Sequence, residues 1–147
     1  MKKIILSLSL LLTVAVTTAF AAAEPGINEQ VKESFKKEFA GAELIRWADA
    51  GDYVKATFIL RGLRTEAYFA QDGQLEGTVR SLFYSQLPLA VMTSLDKRYA
   101  TADIIDVTEI TNGNGTAYRV TVDANGKKFR VRIDTAGNIT DIERLKK

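Results

Sequence analysis

The chain has 147 residues, enough for one compact unit or two very small ones, and it contains no cysteine and no histidine. The absence of cysteine excludes stabilisation by disulfides. The absence of histidine excludes catalytic mechanisms and metal sites that depend on this residue, the commonest general base and metal ligand of proteins. The 20 basic and 18 acidic residues leave no strong basic excess, which argues against a dedicated nucleic-acid binder.

The first 23 residues have the pattern of a cleavable export signal. Lys2 and Lys3 follow the initial methionine and form a short basic segment, and residues 4–16 are mostly apolar. Residues 21–23 are three alanines that fit a small-residue cleavage site. The apolar run is shorter than the roughly twenty residues of a membrane span. Two lysines leave with the signal, so we expect a mature chain, residues 24–147, with 18 residues of each charge. We expect it to be periplasmic or secreted, with no stable membrane anchor after cleavage.

The mature chain is predicted to begin with a helix followed by strands. Val31, Phe35 and Phe39 are spaced four apart, which places them on one helical stripe. A strand is predicted over residues 42–48. Residues 51–73 then carry glycines at their start, middle and end, and apolar and polar residues alternate between the glycines. This pattern is typical of two strands joined by a tight turn.

The same elements recur in the second half of the chain. Val91, Leu95 and Tyr99 repeat the helical stripe 60 residues later, and residues 102–108 repeat the first strand. Residues 115–137 repeat the glycine-bounded strands 64 residues later. The offset grows because the first hairpin of the second half is longer. A hairpin signal, Asp-Gly or Asn-Gly, stands in each half, at Asp72-Gly73 and at Asn125-Gly126.

The predicted fold class is α+β, as a tandem repeat of α-β-β-β-β units with an antiparallel sheet and helices packed on one face. The units cover about residues 28–86 and 87–147. One unit of about sixty residues is marginally stable alone, so we expect residues 24–147 to form a single compact unit with one continuous core. The apolar connection over residues 81–85 is expected to be packed. Two arrangements remain open: the sheets join edge to edge, or the helices dock.

The order of these landmarks resembles that of the PepSY-like proteins, small exported bacterial proteins described as β-lactamase-inhibitor-like. The landmarks are a Phe-x-x-x-Phe helix, a strand ending in Trp47, Tyr53, Asp72-Gly73, Leu87-Pro88, Tyr99, and Tyr118 with Gly137. The resemblance implies the tandem α-β4 fold of β-lactamase inhibitor proteins and a noncatalytic role. The inhibitors that gave the fold its name carry disulfides, which this chain lacks, so no inhibitory residue is carried over.

No catalytic set can be assembled from the sequence. Without histidine, a nucleophilic serine would need a lysine or a carboxylate beside it, and Ser34 and Ser94 stand next to helical core positions where small residues act as packing spacers. Glu66 and Glu76 are candidates for paired carboxylates on adjacent strands, but ion pairing with basic neighbours on a solvated sheet face is the favoured interpretation. We predict that the protein is not an enzyme and uses no cofactor or metal.

The mostly polar face of the sheet is the candidate binding surface. Tyrosine and arginine are enriched in binding hot spots, and a face that holds both beside a basic strip suits an acidic protein loop or another anionic ligand. The residues predicted for this surface are Tyr53, Lys55, Arg64, Glu66, Tyr68, Arg119, Lys128, Arg130 and Arg132. The alternative is that they are ordinary exposed strand residues, whose charge discourages edge pairing.

We therefore expect an exported, noncatalytic protein-binding or inhibitor-like module. Its partner is expected to be another envelope or extracellular protein, and not a nucleic acid. The alternative function is a small-ligand carrier with a pocket between the repeats, lined by Trp47, Phe83 and Tyr84. Strand alternation places Trp47 on the same face as Ile45, which predicts that Trp47 is buried.

Overall fold

The structure is a computed structural model that describes residues 26–146, so the predicted export signal lies outside the described residues. Each half of the chain contains one α-helix followed by four strands. The elements are α1 (Glu29–Glu38), β1 (Glu43–Ala50), β2 (Tyr53–Leu60), β3 (Leu63–Ala70), β4 (Leu75–Ser81), a 3₁₀ turn (Tyr84–Gln86), α2 (Leu89–Tyr99), β5 (Asp103–Asn112), β6 (Gly115–Ala124), β7 (Lys127–Asp134) and β8 (Ile139–Arg144). Within residues 26–146, no helix has the length and apolar character needed to cross a membrane.

The eight strands form one antiparallel sheet in chain order, from β1 at one edge to β8 at the other. The two halves meet where β4 pairs with β5, with Thr78 opposite Thr111 and Arg80 opposite Glu109. Of the two arrangements left open by the sequence, the sheets therefore join edge to edge. The predicted α+β class with an antiparallel sheet is confirmed.

Both helices cover the same face of this sheet. A single cross-strand row contains Phe58, Thr65, Arg80, Glu109 and Tyr118. Phe58 belongs to the apolar cluster under α1, and Tyr118 belongs to the cluster under α2. Because the two ends of one row touch different helices, the helices lie on one side. We call the opposite side of the sheet the outer face.

The apolar core consists of two clusters. The cluster under α1 contains Val31, Phe35, Trp47, Val54, Ala56, Phe58, Ala67 and Phe69, and the cluster under α2 contains Leu87, Val91, Leu95, Val107, Tyr118, Val120, Val122, Val131 and Ile133. The prediction of one continuous core is wrong. On the helix-covered face at the β4–β5 junction, Arg80 Nη2 lies 2.7 Å from Glu109 Oε1, and this ion pair stands between the clusters.

A glycine turn packs against each helix in the same way. Gly73 (φ +89°) precedes β4, and a Cβ on it would come within 2.9 Å of Ser34 Oγ. Gly137 (φ +88°) precedes β8, and a Cβ there would come within 3.0 Å of Ser94 Oγ. Both turns require glycine, because the backbone is left-handed and the helix leaves no room for a side chain. The two serines face these turns, which fits their interpretation as packing spacers.

Bulges occur at matching places in the first strand of each half, at residues 44–46 and 104–106. Trp47 is buried, as predicted, with its ring centroid 5.4 Å from that of Phe35. Ile45 is 51% exposed, so the prediction that it shares the buried face of Trp47 is wrong. The bulge inserts one residue and breaks the strict alternation on which that prediction rested.

Candidate interaction face

All nine residues predicted for the binding surface lie on the outer face of the sheet. In β2, Tyr53 and Lys55 alternate with the buried Val54 and Ala56. Lys55 is opposite Tyr68 on β3. The pairing of β3 with β4, β4 with β5 and β5 with β6 extends the same face to Arg119 on β6. Joining the sheets edge to edge therefore makes one continuous face from the two predicted parts.

Glu66 is the centre of a polar network in the first half of this face. Its Oε2 accepts a hydrogen bond from the Tyr68 hydroxyl at 3.1 Å. Its Oε1 lies 3.6 Å from Lys55 Nζ and 3.8 Å from Arg64 Nη2. The ion pairing favoured from the sequence is thus present for Glu66, whereas over residues 26–146 Glu76 has no cation within 4.0 Å. With two cations and a phenol as partners, Glu66 is not a free catalytic carboxylate.

The network keeps Tyr68 in its neutral form. Burial raises the pKa of Tyr68 above 10.0, and the charge and hydrogen bond of Glu66 act in the same direction. The charge of Arg119 has the opposite, smaller effect on this pKa. Tyr68 on β3 and Arg119 on β6 thus lie on the outer face on either side of β4 and β5, the strands that join the two halves.

Thr57 lies on the outer face opposite Glu66 and is nevertheless fully inaccessible to solvent. Within residues 26–146, its Oγ1 has no hydrogen-bond partner. Long side chains of neighbouring strands must close over this threonine, since no helix lies on that side. The first half of the outer face is therefore covered by its own polar network and is less open than the sequence predicted.

The second half of the face is more balanced in charge than the predicted basic strip. Arg130 Nη1 forms an ion pair with Glu143 Oε2 at 3.0 Å, and Arg132 is opposite Asp141. Both acidic residues belong to β8. They lie beside the two arginines only because β8 pairs with β7, so their charges could not be assigned to this strip from the sequence. Over residues 26–146, Arg119, Lys128 and Arg132 have no carboxylate within 4.0 Å.

The junction itself holds a pocket that the sequence patterns did not predict. The pocket has a volume of about 440 Å³ and is lined on the outer face by Tyr53, Tyr68, Gly77, Val79, Ile110 and Asn112. Val79 and Ile110 are directly opposite each other on β4 and β5. Of these residues, only the two tyrosines were predicted for the binding surface. The remaining ones lie on β4 and β5 and become neighbours only through the pairing of these two strands.

The structure does not bring together the three residues predicted to line a carrier pocket. Trp47 is in the core cluster under α1, whereas Tyr84 packs against the cluster under α2. The Tyr84 hydroxyl donates to Asp96 Oδ1 at 2.5 Å, and burial, followed by that bond, raises the pKa of Tyr84 to about 12. Phe83 is 69% exposed, so only part of the 81–85 connection is packed as predicted.

No group of three or more acidic side chains within residues 26–146 is placed to hold a metal ion. The carboxylates of Glu66, Glu109 and Glu143 are each paired with an arginine or a lysine on a neighbouring strand. The outer face carries phenols, cations and a small apolar patch.

The fold is similar to that of several solved bacterial proteins. A BLIP-like protein from Bacteroides fragilis matches with a TM-score of 0.76 and 23% identity, over 85% of this chain and 91% of that chain. A Bacteroides eggerthii protein described as periplasmic matches with a TM-score of 0.75 and 17% identity, over 82% of this chain and 91% of that chain. A DUF2874 family protein from Bacteroides uniformis matches with a TM-score of 0.72 and 20% identity, over 80% and 88%.

These similarities identify the fold as BLIP-like. The periplasmic or secreted location predicted from the leader agrees with the description of the neighbours. No family model matches the chain, and no curated protein does. The PepSY-like assignment made from the sequence landmarks therefore stays a prediction.

Proposed function

We propose that this chain is an exported, noncatalytic protein that binds another envelope or extracellular protein through the outer face of its sheet. One observation supports this most directly. Tyr68 and Arg119 flank the half-buried Val79 and Ile110 on the side of the sheet that no helix covers. An apolar floor with tyrosine and arginine at its rim is the composition of an interaction hot spot.

The rigidity of the face favours this role. Its residues stand on hydrogen-bonded strands of a single sheet, so little conformational freedom is lost when a partner binds. Lys55 and Glu66 are already ion-paired with neighbours, whereas Arg119 and Arg132 have no carboxylate within 4.0 Å over residues 26–146. A partner that presents an acidic loop would meet these two cations directly.

An inhibitor-like role is the finer form of the proposal. It is suggested by the similarity to a BLIP-like protein and by the tandem design. Matching bulges, matching glycine turns and the same order of helix and strands support descent of the two halves from one duplicated α-β4 unit. Inhibition would then follow if the bound partner is an enzyme whose entrance the face covers.

The test begins with capture from envelope extract and culture medium, using the protein purified after export. Each captured protein is then purified and titrated by calorimetry. Tyr68→Ala and Arg119→Ala should each weaken its binding by at least about tenfold, as expected for hot-spot residues. Circular dichroism of both variants confirms that they remain folded.

The matched control is the double variant Lys36→Ala, Lys37→Ala, which removes two exposed cations on α1, on the opposite side of the sheet. This variant should bind with unchanged affinity. Binding that survives Tyr68→Ala and Arg119→Ala but is lost in the α1 variant would place the interaction on the helix side and refute the proposal. An enzymatic assay of the captured partner, with and without this protein, then decides the inhibitor-like form.

A further inference from the structure

The pocket at the β4–β5 junction has the construction of a small-molecule site. Its volume of about 440 Å³ falls within the range of such sites, roughly 300–1,000 Å³. Tyr53 and Tyr68 form one wall, and the opposite wall is the β5–β6 hairpin at residues 112–114. That hairpin is longer than its counterpart in the first half, since β5 has 10 residues and β1 has 8. The additional residues carry the hairpin past the Gly77–Asn112 pair, beside the pocket.

Beside Val79 and Ile110, the floor of the pocket has one position without a side chain, Gly77. Gly77 lies between the two walls, and a Cβ on it would come within 2.8 Å of the Thr111 carbonyl oxygen and 3.3 Å of Asn112 Cβ. The pairing of β4 with β5 therefore requires glycine at this position. The missing side chain leaves bare backbone beside Tyr68, which is opposite Gly77 on β3.

The polar groups around the pocket are of mixed type and are largely free. Over residues 26–146, the Tyr53 hydroxyl and the Glu76 carboxylate have no hydrogen-bond or ion-pair partner. Asn112 uses its Oδ1 to accept from the Asn114 amide at 2.9 Å, which leaves its NH₂ group to donate. The pocket thus presents donors and acceptors side by side, next to two aromatic rings.

Most charges beside this pocket are already paired with one another. Lys55 and Arg64 are ion-paired with Glu66 next to Tyr68, and Glu76 is the one charged side chain among the described residues that line the pocket. An anionic ligand would be repelled by Glu76, and a single solvent-accessible carboxylate contributes little to the binding of a cation. An uncharged ligand with many hydroxyl groups and flat C–H faces fits the pocket best, because its faces can stack on tyrosine while its hydroxyls both donate and accept.

We propose that this pocket binds a neutral saccharide, as a mono- or disaccharide unit. The rings of Tyr53 and Tyr68 stack on the sugar, Glu76 accepts from its hydroxyls, and the Asn112 amide donates to them. This ligand site goes beyond the protein-binding function proposed above. It shares Tyr53 and Tyr68 with the face proposed for that function but adds Glu76 and Asn112.

The test is an NMR titration of the ¹⁵N-labelled protein, purified after export, with glucose, galactose, N-acetylglucosamine, maltose and diacetylchitobiose. At least one sugar should cause saturable shifts of the Gly77, Asn112 and Gly113 amides, with a dissociation constant on the order of 1 mM because the site is open and its contacts are few. Absence of a saturable shift for all five sugars at about 50 mM, fifty times that value, overturns the proposal.

Variants separate this site from the protein-binding face. Tyr53→Ala should weaken sugar binding about tenfold and Glu76→Gln about fivefold, by loss of stacking and of the charged acceptor. Arg132→Ala, on the far part of the face, should leave sugar binding unchanged while weakening capture of a protein partner. Tyr53 is 41% exposed and Glu76→Gln preserves shape, so both variants should fold. Sugar shifts that are the same in both variants and in the wild-type protein also overturn the proposal.

Discussion

Gly77 on β4 and Thr111 on β5 are in direct contact at the place where the two halves of the protein become one sheet. A Cβ on residue 77 would come within 2.8 Å of the Thr111 carbonyl oxygen. The position 64 residues later is Asp141, which lies on the edge strand β8, where no further strand has to fit. A single glycine thus distinguishes the strand that joins the halves from the strand that ends the sheet.

Substitution of that glycine should loosen the junction. We expect Gly77→Ala to lower the free energy of unfolding by about 1–3 kcal/mol, as is typical of overpacking. Urea unfolding followed by circular dichroism measures this change. The control is Gly113→Ala, since Gly113 has an ordinary φ and a Cβ on it would meet no atom within 4 Å. That control should change stability by less than about 0.5 kcal/mol. Equal effects of the two variants would contradict the junction contact.

Gly137 should be more sensitive to alanine than a glycine in an open turn. Gly62 and Gly137 both have left-handed φ values, +78° and +88°, so in each alanine variant the backbone conformation costs about 1–2 kcal/mol. Only at Gly137 would the new Cβ meet the Ala90 carbonyl oxygen on α2, at 2.5 Å. We therefore expect Gly137→Ala to be at least about 1 kcal/mol less stable than Gly62→Ala in urea. The reverse order would show that α2 does not pack against this turn.

The two core clusters should unfold together although they are separate. Trp47, the only tryptophan of the chain, is in the cluster under α1, so its fluorescence reports on the first half. Val131 is fully buried in the cluster under α2. Since one sheet connects them, Val131→Ala should lower the stability measured at Trp47 by about 1–3 kcal/mol. A tryptophan transition that stays at its wild-type midpoint would mean that the halves unfold independently.

Tyr84 should make stability depend on alkaline pH. Its pKa is raised from 10.0 to about 12 in the folded protein, so the unfolded chain loses this proton first. The contribution of Tyr84 is therefore complete below pH 10 and is lost as the pH rises towards 12. Tyr84→Phe should be less stable than wild type by about 1 kcal/mol at neutral pH, through loss of the bond to Asp96.

The difference between wild type and Tyr84→Phe should shrink as the pH rises above 10. Urea midpoints at neutral pH and at several alkaline values measure it. Tyr53→Phe is the matched control, because the Tyr53 hydroxyl has no hydrogen-bond partner over residues 26–146. Tyr53→Phe should leave the urea midpoint at neutral pH nearly unchanged. A constant difference for Tyr84→Phe would argue against the bond to Asp96.

Local patterns were sufficient to predict the elements of the fold. The four-residue spacing of Val31, Phe35 and Phe39 predicted α1, and glycine-bounded alternation predicted β2 and β3. These signals depend only on residues that are close together along the chain, so they can be recognised in a single sequence. The pairing of β4 with β5 depends on how closely β5 can approach Gly77. No pattern within either strand predicts that approach. The bulge at residues 44–46 was missed for a related reason, since it is visible only against a partner strand.

For the candidate interaction face, too, local patterns could be predicted from the sequence and the effects of strand pairing could not. Alternation placed all nine predicted residues on one face, as the structure has them. The partners of those residues were harder to predict, because Glu143 reaches Arg130 only after β8 has paired with β7. The pocket floor of Val79 and Ile110 also exists only once the halves have joined. Which residues face outward is a local property, whereas which of them remain free to bind is a property of the whole sheet.

The bulge in β1 has a consequence for how the molecule behaves in a crowded compartment. β1 is an edge strand with Leu44 and Ile45 exposed, a combination that invites another chain to add to the sheet. The kink interrupts the regular ladder of backbone groups that such an addition needs. At the other end, the edge strand β8 carries charged side chains, among them Asp141 and Glu143, and charge on an edge strand discourages pairing with another chain. The bulge and the charged edge thus act against the addition of further strands to the sheet.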